Sequence, residues 1–181
     1  MLRSLLVSSI LLVTGICASA QQFWSPVDVA QIQLRTQSSR EITPEHFKSF
    51  KLDKTGIAAY LLHAPEESKD VLNNPSFTVF LPDNDGNMNE FVIWYSPVME
   101  QELADKYPDI KSYKGFKKSD RSVSIRMTIT KDDFNAAIRS PQNMVYIDRY
   151  STEYNDVYMV YDTEEYDDGV LSKDMVCGSA D

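Results

Sequence analysis

Alternation of apolar and polar positions divides this chain into short extended segments. Phe77, Val79 and Leu81 alternate with Thr78 and Phe80, the period of a strand packed on at least one face. Asp83, Asn84, Asp85, Gly86 and Asn87 follow. These residues tolerate left-handed or locally bonded backbone, so the chain is expected to reverse there and return along residues 91–95 as a hairpin. Ser96 and Pro97 then have the character of a helix cap and a first-turn proline, with Glu100 and Glu102 near the positive helix end. Lys106, Tyr107 and Pro108 stop that helix, and a strand completes the stretch before Phe116.

Downstream, Val123, Ile125, Met127 and Ile129 share one face of an amphipathic strand. Asp132 or Lys131 is expected to open a short helical turn with Phe134, Ala137 and Ile138, ended by Ser140 and Pro141. Residues 144–148 and 157–161 predict two more strands, joined by a turn over 152–156. Upstream, residues 23–34 suggest a short strand or an irregular lead-in, and 36–40 a polar connection. Pro44, Phe47, Phe50 and Leu52 suggest a second lead-in, and Asp53 a cap for a short helix over 54–63 that buries Ile57, Tyr60 and Leu61. The expected fold class is α+β: a mostly antiparallel sheet of about six strands, paired as a meander, with two or three short helices on it.

Composition narrows the class. With 181 residues, 43% hydrophobic and 11% aromatic, the chain can bury one core and is expected to form one domain. A formal charge of −9 and pI near 4.7 argue against a nucleic-acid surface, which needs clustered Lys and Arg. Residues 1–20 have the form of a signal peptide: Arg3, an apolar run over 5–16, and the small residues Ala18, Ser19 and Ala20. The run is shorter than the ~20 residues needed to span a bilayer, so cleavage after Ala20 and a secreted or periplasmic location are expected, with no stable membrane anchor. Residues 21–162 then form the sheet domain and 163–181 an acidic tail. Over 151–181, nine acids face one lysine, Lys173, a formal −8, and the run over 163–169 is expected to be an exposed, mobile tail. Export removes Cys17, so Cys177 has no internal disulfide partner. An incidental thiol, a bond to another chain and a metal ligand all stay open.

Catalytic patterns are missing from the sequence. His46 and His63 lie in no HExxH frame, no serine sits in a GxSxG elbow, and six glycines form no phosphate loop. His63 suits the C-terminal end of its helix, where the dipole favours a cation. The acids of the tail lack the DxDxDG spacing of a calcium loop. Tyr146, Tyr150, Tyr154, Tyr158, Tyr161 and Tyr166 fit a sheet that half-buries its rings.

Several ordered pieces carry a resemblance: Leu81-Pro82 with Asp85-Gly86, Ser96 through Met99 with Glu102-Leu103, residues 107–115, and residues 146–151. Together they resemble the N-terminal pro-region of secreted bacterial reprolysin-like zinc metalloproteases of the metzincin family, over most of residues 40–162. Arg149 stands where that family usually has proline. The resemblance implies a chain that is no enzyme by itself, the truncated front of a precursor or a free-standing relative. It would assist the folding and latency of a zinc-containing metalloprotease catalytic domain, in cis or in trans. It also implies a role for Cys177, because Lys173, Met175, Cys177 and Gly178 resemble a cysteine switch, although its proline is missing and one extra residue precedes the cysteine. A thiolate placed on a catalytic zinc would occupy the position that water needs. The competing expectation is a stand-alone secreted binding module that uses a sheet edge or the tyrosines, and a carboxylate hydrolase is a third.

Overall fold

A computed structural model describes residues 23–31, 44–73 and 76–163. In chain order these form β1 (Trp24–Pro26), one 3-10 turn (Val29–Gln31), β2 (Lys48–Leu52), α1 (Lys54–Leu61), α2 (Lys69–Asn73), β3 (Thr78–Pro82) and β4 (Met88–Tyr95). Then come α3 (Gln101–Lys106), β5 (Lys111–Lys117), β6 (Asp120–Ile129), β7 (Phe134–Arg139), β8 (Met144–Arg149) and β9 (Val157–Asp162). The signal segment, the connection over 36–40, the tail from residue 164 and Cys177 lie outside the described residues.

The nine strands make one sheet in the order β1-β2-β9-β8-β7-β6-β5-β4-β3, antiparallel throughout. From β3 to β9 each strand pairs with the next, the meander that short connections favour. The mostly antiparallel sheet with short helices is as the pattern predicts; α1 and α3 answer two of the expected helices, and α2 was not expected. The strand count exceeds the expected six because both lead-ins contribute β1 and β2, and because residues 134–139 form β7 rather than a helical turn. The reason lies in the competing periods. Phe134, Ala136 and Ile138 are buried on one face, which is a period of two, and Phe134 pairs with Ile129 across the hairpin. The Thr130 hydroxyl accepts from the N–H groups of Asp132 and Asp133 and holds the turn that reverses the chain.

Local chemistry explains the remaining elements. The Asp53 carboxylate accepts from the Gly56 N–H at 2.9 Å and caps α1, which buries Ile57 and Leu61. In the β3–β4 turn, the Asp83 carboxylate accepts from the N–H groups of Asp85 and Asn87, and Gly86 takes φ of 94°, a conformation open to glycine. The helix expected directly after Ser96 and Pro97 begins later, at Gln101. Ser96 is buried and its hydroxyl donates to Glu67 at 2.7 Å, so it cannot cap a helix.

The sheet curls into a nearly closed barrel. One apolar core takes buried side chains from all nine strands and from α1. Trp24 of β1 meets Phe134 of β7 edge-on at 5.5 Å, although three strands separate them in the sheet. The two edge strands, β1 and β3, do not pair with each other; α1 lies between them. The Tyr60 ring stacks on Phe77, just before β3, at 4.6 Å and tilts against Phe23, just before β1, at 5.6 Å. Its hydroxyl donates to the Thr78 carbonyl at 2.7 Å. On the same side, Asn84 in the β3–β4 turn donates to Asp162 at the end of β9. A second cluster, with Tyr150, Val157, Met159 and Tyr161, covers the outer face of β9 and is packed by Val27, Val29 and Phe47. Strand β9 is therefore buried on both faces. No helix among the described residues is long and apolar enough to cross a membrane.

Candidate functional site

Residues 96–110 leave the barrel between β4 and β5 and build the most distinctive surface of the molecule. The excursion is anchored at its two ends. The Ser96 N–H donates to the Ser112 carbonyl, and the Ser96 hydroxyl holds Glu67, which also lies 3.7 Å from Lys114. The Ser96 hydroxyl and the Lys114 charge hold the Glu67 carboxyl below the ordinary carboxylate range. Residues 65–67 join the open end of β4 through a parallel bridge between Glu66 and Tyr95. Inside the excursion, α3 is closed by the Glu102–Lys106 pair at 3.1 Å, and Tyr107 and Pro108 end it.

The apolar residues of this excursion do not enter the core. Val98 is 66% exposed, Tyr107 54% and Leu103 45%, and Leu62 at the end of α1 is 69% exposed. A groove of about 690 Å³ runs between Glu66, Tyr95, Pro97, Met99 and Pro108. Pro108 and Lys111 also line a neighbouring hollow of about 400 Å³ whose lining includes Leu62, so the two depressions adjoin. Glu66, Glu67, Asp105 and Asp109 line the two depressions with Lys111 and Lys131, and Glu100, Glu102 and Lys106 belong to the excursion itself. Lys106 and Lys114 already face Glu102 and Glu67. The rim thus combines exposed apolar groups with an excess of acidic ones.

The residues singled out in the sequence are scattered. His46 is exposed, in a hollow of about 290 Å³ along the barrel seam with Lys48, Asn84 and Asp162. His63 is exposed beyond the last turn of α1, and its N–H donates to the Tyr60 carbonyl. The two histidines belong to different surfaces. The tyrosines divide by face rather than forming one row: Tyr158 points into the core, and Tyr146, Tyr150, Tyr154 and Tyr161 belong to the outer cluster. Burial pushes the Tyr158 hydroxyl well above the ordinary tyrosine value. Among the described residues no group of three His, Cys, Asp or Glu side chains is arranged to hold a metal ion.

A second feature lies on the outer face of β6, β7 and β8, where a hollow of about 390 Å³ has Ala137 and Asp148 at its floor. Asp148 is half-buried and accepts from the Tyr161 hydroxyl at 2.8 Å. Burial raises its carboxyl above the ordinary range, the Tyr161 bond opposes that shift, and Asp133 adds to it.

The rim was not legible in the pattern, since Ser96 and Pro97 read as the cap and first turn of a helix ending at Lys106. The available signal was the low apolar content of residues 100–106, where Leu103 and Ala104 stand alone among charged and polar residues. The chain matches no protein-family model, no curated protein and no solved structure.

Proposed function

We propose that this chain is the exported, non-catalytic pro-region of a reprolysin-like zinc metalloprotease precursor. On this reading it binds a catalytic domain outside this chain through the acidic, apolar rim of residues 62 and 96–110. The reading rests on one observation: the residues that carry the resemblance divide into those the fold needs and those it does not. Gly86 turns the hairpin, Ser96 anchors the excursion, and Gly115 lets β4 and β5 approach. Pro97, Val98, Leu103 and Tyr107 stand exposed, with no part in the core. Apolar residues that a fold does not use and leaves exposed fit a binding role. Cys177 would reach the zinc of the partner domain from the tail and block water activation there.

The test uses residues 21–181 and a purified secreted bacterial reprolysin-like catalytic domain. Inhibition is expected, lost in a Leu103→Asp, Tyr107→Asp double variant and weakened about tenfold or more in Cys177→Ser. Absence of inhibition by the wild-type chain would overturn the reading, and equal inhibition by Cys177→Ser would remove the zinc-blocking role alone. The rim by itself, without the resemblance, also suits a stand-alone secreted binding module. Reading the gene past codon 181 separates the two, because an in-frame HExxHxxGxxH favours the precursor and an unrelated gene favours the module.

A further inference from the structure

The outer hollow on β6–β8 lies on a different face of the sheet from the core and outside the excursion of the rim. Strand register sets its plan. Arg126, Ala137, Tyr146 and Tyr161 stand in one row across β6, β7, β8 and β9, and Asp148 and Asn135 lie two residues along from Tyr146 and Ala137 on the same face. Ala137 is the small member of its row, so the surface sinks between the larger residues on either side. Tyr146 packs against Tyr161 at 5.8 Å and presents an aromatic wall to the depression.

The polar groups of this hollow are only partly engaged within the fold. Ion pairs join Lys51 to Asp156, Lys106 to Glu102, Lys114 to Glu67 and Lys118 to Glu90. None of them involves Arg126 or Asp148. A half-buried carboxylate with one hydroxyl donor and no cation carries a desolvation cost that a bound ammonium would offset. Arg126, on the far side of Ala137, offers a planar fork of donors suited to a carboxylate. The aromatic wall and Ala137 leave an apolar surface between the two charges. The volume falls within the ~300–1,000 Å³ of small-ligand sites.

We infer that this hollow binds a small zwitterion of amino-acid or dipeptide size, its ammonium on Asp148, its carboxylate on Arg126 and an apolar side chain against Tyr146. Asn135 and Thr128 line the same hollow and add hydrogen-bonding groups at its edge.

The experiment titrates isotope-labelled chain 21–181 with L-phenylalanine and follows the backbone amide signals. The expected result is a saturable shift confined to residues around Asn135, Ala137, Tyr146 and Asp148. N-acetyl-phenylalanine lacks the ammonium and phenylalaninamide lacks the carboxylate, so each should bind about tenfold or more weakly. Gly-Phe, whose charges are one residue further apart, separates a free amino acid from a short peptide as the preferred source. Asp148→Asn and Arg126→Gln should each reproduce the loss; Arg126 is exposed, so its variant keeps the fold. Binding that is indifferent to removal of either charge, or shifts absent or scattered over the surface, would overturn the assignment.

Discussion

Gly115 shows how a single hydrogen atom can decide the spacing of two strands. It faces Ile93 across β4 and β5, and a Cβ built on it would collide with the Val92 carbonyl oxygen. Gly115→Ala must push β4 and β5 apart, so a loss of about 2 kcal/mol or more is expected, read as a lower urea midpoint with an unchanged slope. Tyr113, two residues earlier, is buried, and desolvation pushes its hydroxyl up to about 12, with Tyr95 adding to the shift. A folded-state value above the unfolded one gives stability that is complete below the ordinary tyrosine value of 10.0 and lost as pH rises toward about 12. Thermal unfolding followed between pH 9 and 12 should therefore show an alkaline loss, to which the buried Tyr158 also contributes, and Tyr113→Phe should make it shallower. An identical alkaline profile in the variant would remove Tyr113 from the cause.

At the scale of elements, the problem the chain solves is a sheet with two open edges. Each edge strand carries a proline, Pro26 in β1 and Pro82 in β3. Proline lacks the N–H that a further strand would use, and edges are where it is tolerated in sheets. The Ile93 N–H donates to the Phe77 carbonyl, so the Thr78 carbonyl is turned away from β4, and the Tyr60 hydroxyl takes it. Helix α1 therefore works as a clasp across the gap between β1 and β3. Tyr60→Phe should cost about 1 kcal/mol, the net value of one hydrogen bond, and Tyr60→Ala about 3 kcal/mol because the contacts to Phe23 and Phe77 go as well. In the alanine variant, hydrogen exchange should quicken in β1 and β3 before it does in β6. Uniform quickening would mean that the clasp is only one more core contact.

Much of this organisation was visible in the residue pattern where one period dominated. Alternation placed β3 and β6, short apolar runs marked β8 and β9, and Asp53 and Gly86 marked a cap and a turn that rest on local bonds. Residues 134–139 failed because Phe134, Ala137 and Ile138 have helical spacing while Phe134, Ala136 and Ile138 have strand spacing. Pairing with β6, which no local signal contains, decides between them. Ser96 misled for a similar reason, since its hydroxyl serves Glu67, 29 residues away, rather than the following turn. The rim and the outer hollow depend on which apolar residues the closed barrel leaves outside and which side chains register brings side by side, and both are properties of the assembled sheet.

The whole molecule has one further property, contained in the strand order. Strands β3 to β9 can pair in the order of their synthesis, but β2 waits for β9, with Lys48 opposite Val160. The first strands of the domain thus close the last loop, and that closure joins residues more than a hundred positions apart. Loops of that span form slowly, because the entropy of closing them is lost before the contacts form. A chain ended at residue 150 keeps β3 to β8 yet lacks the strand on which β2 and the outer cluster rest. It should therefore show no cooperative unfolding transition, whereas one ended at residue 163 should. During synthesis, the hairpin of β1 and β2 must remain without its sheet partner until β9 leaves the ribosome, and the clasp at Tyr60 then joins β1 to β3 as part of a single late event.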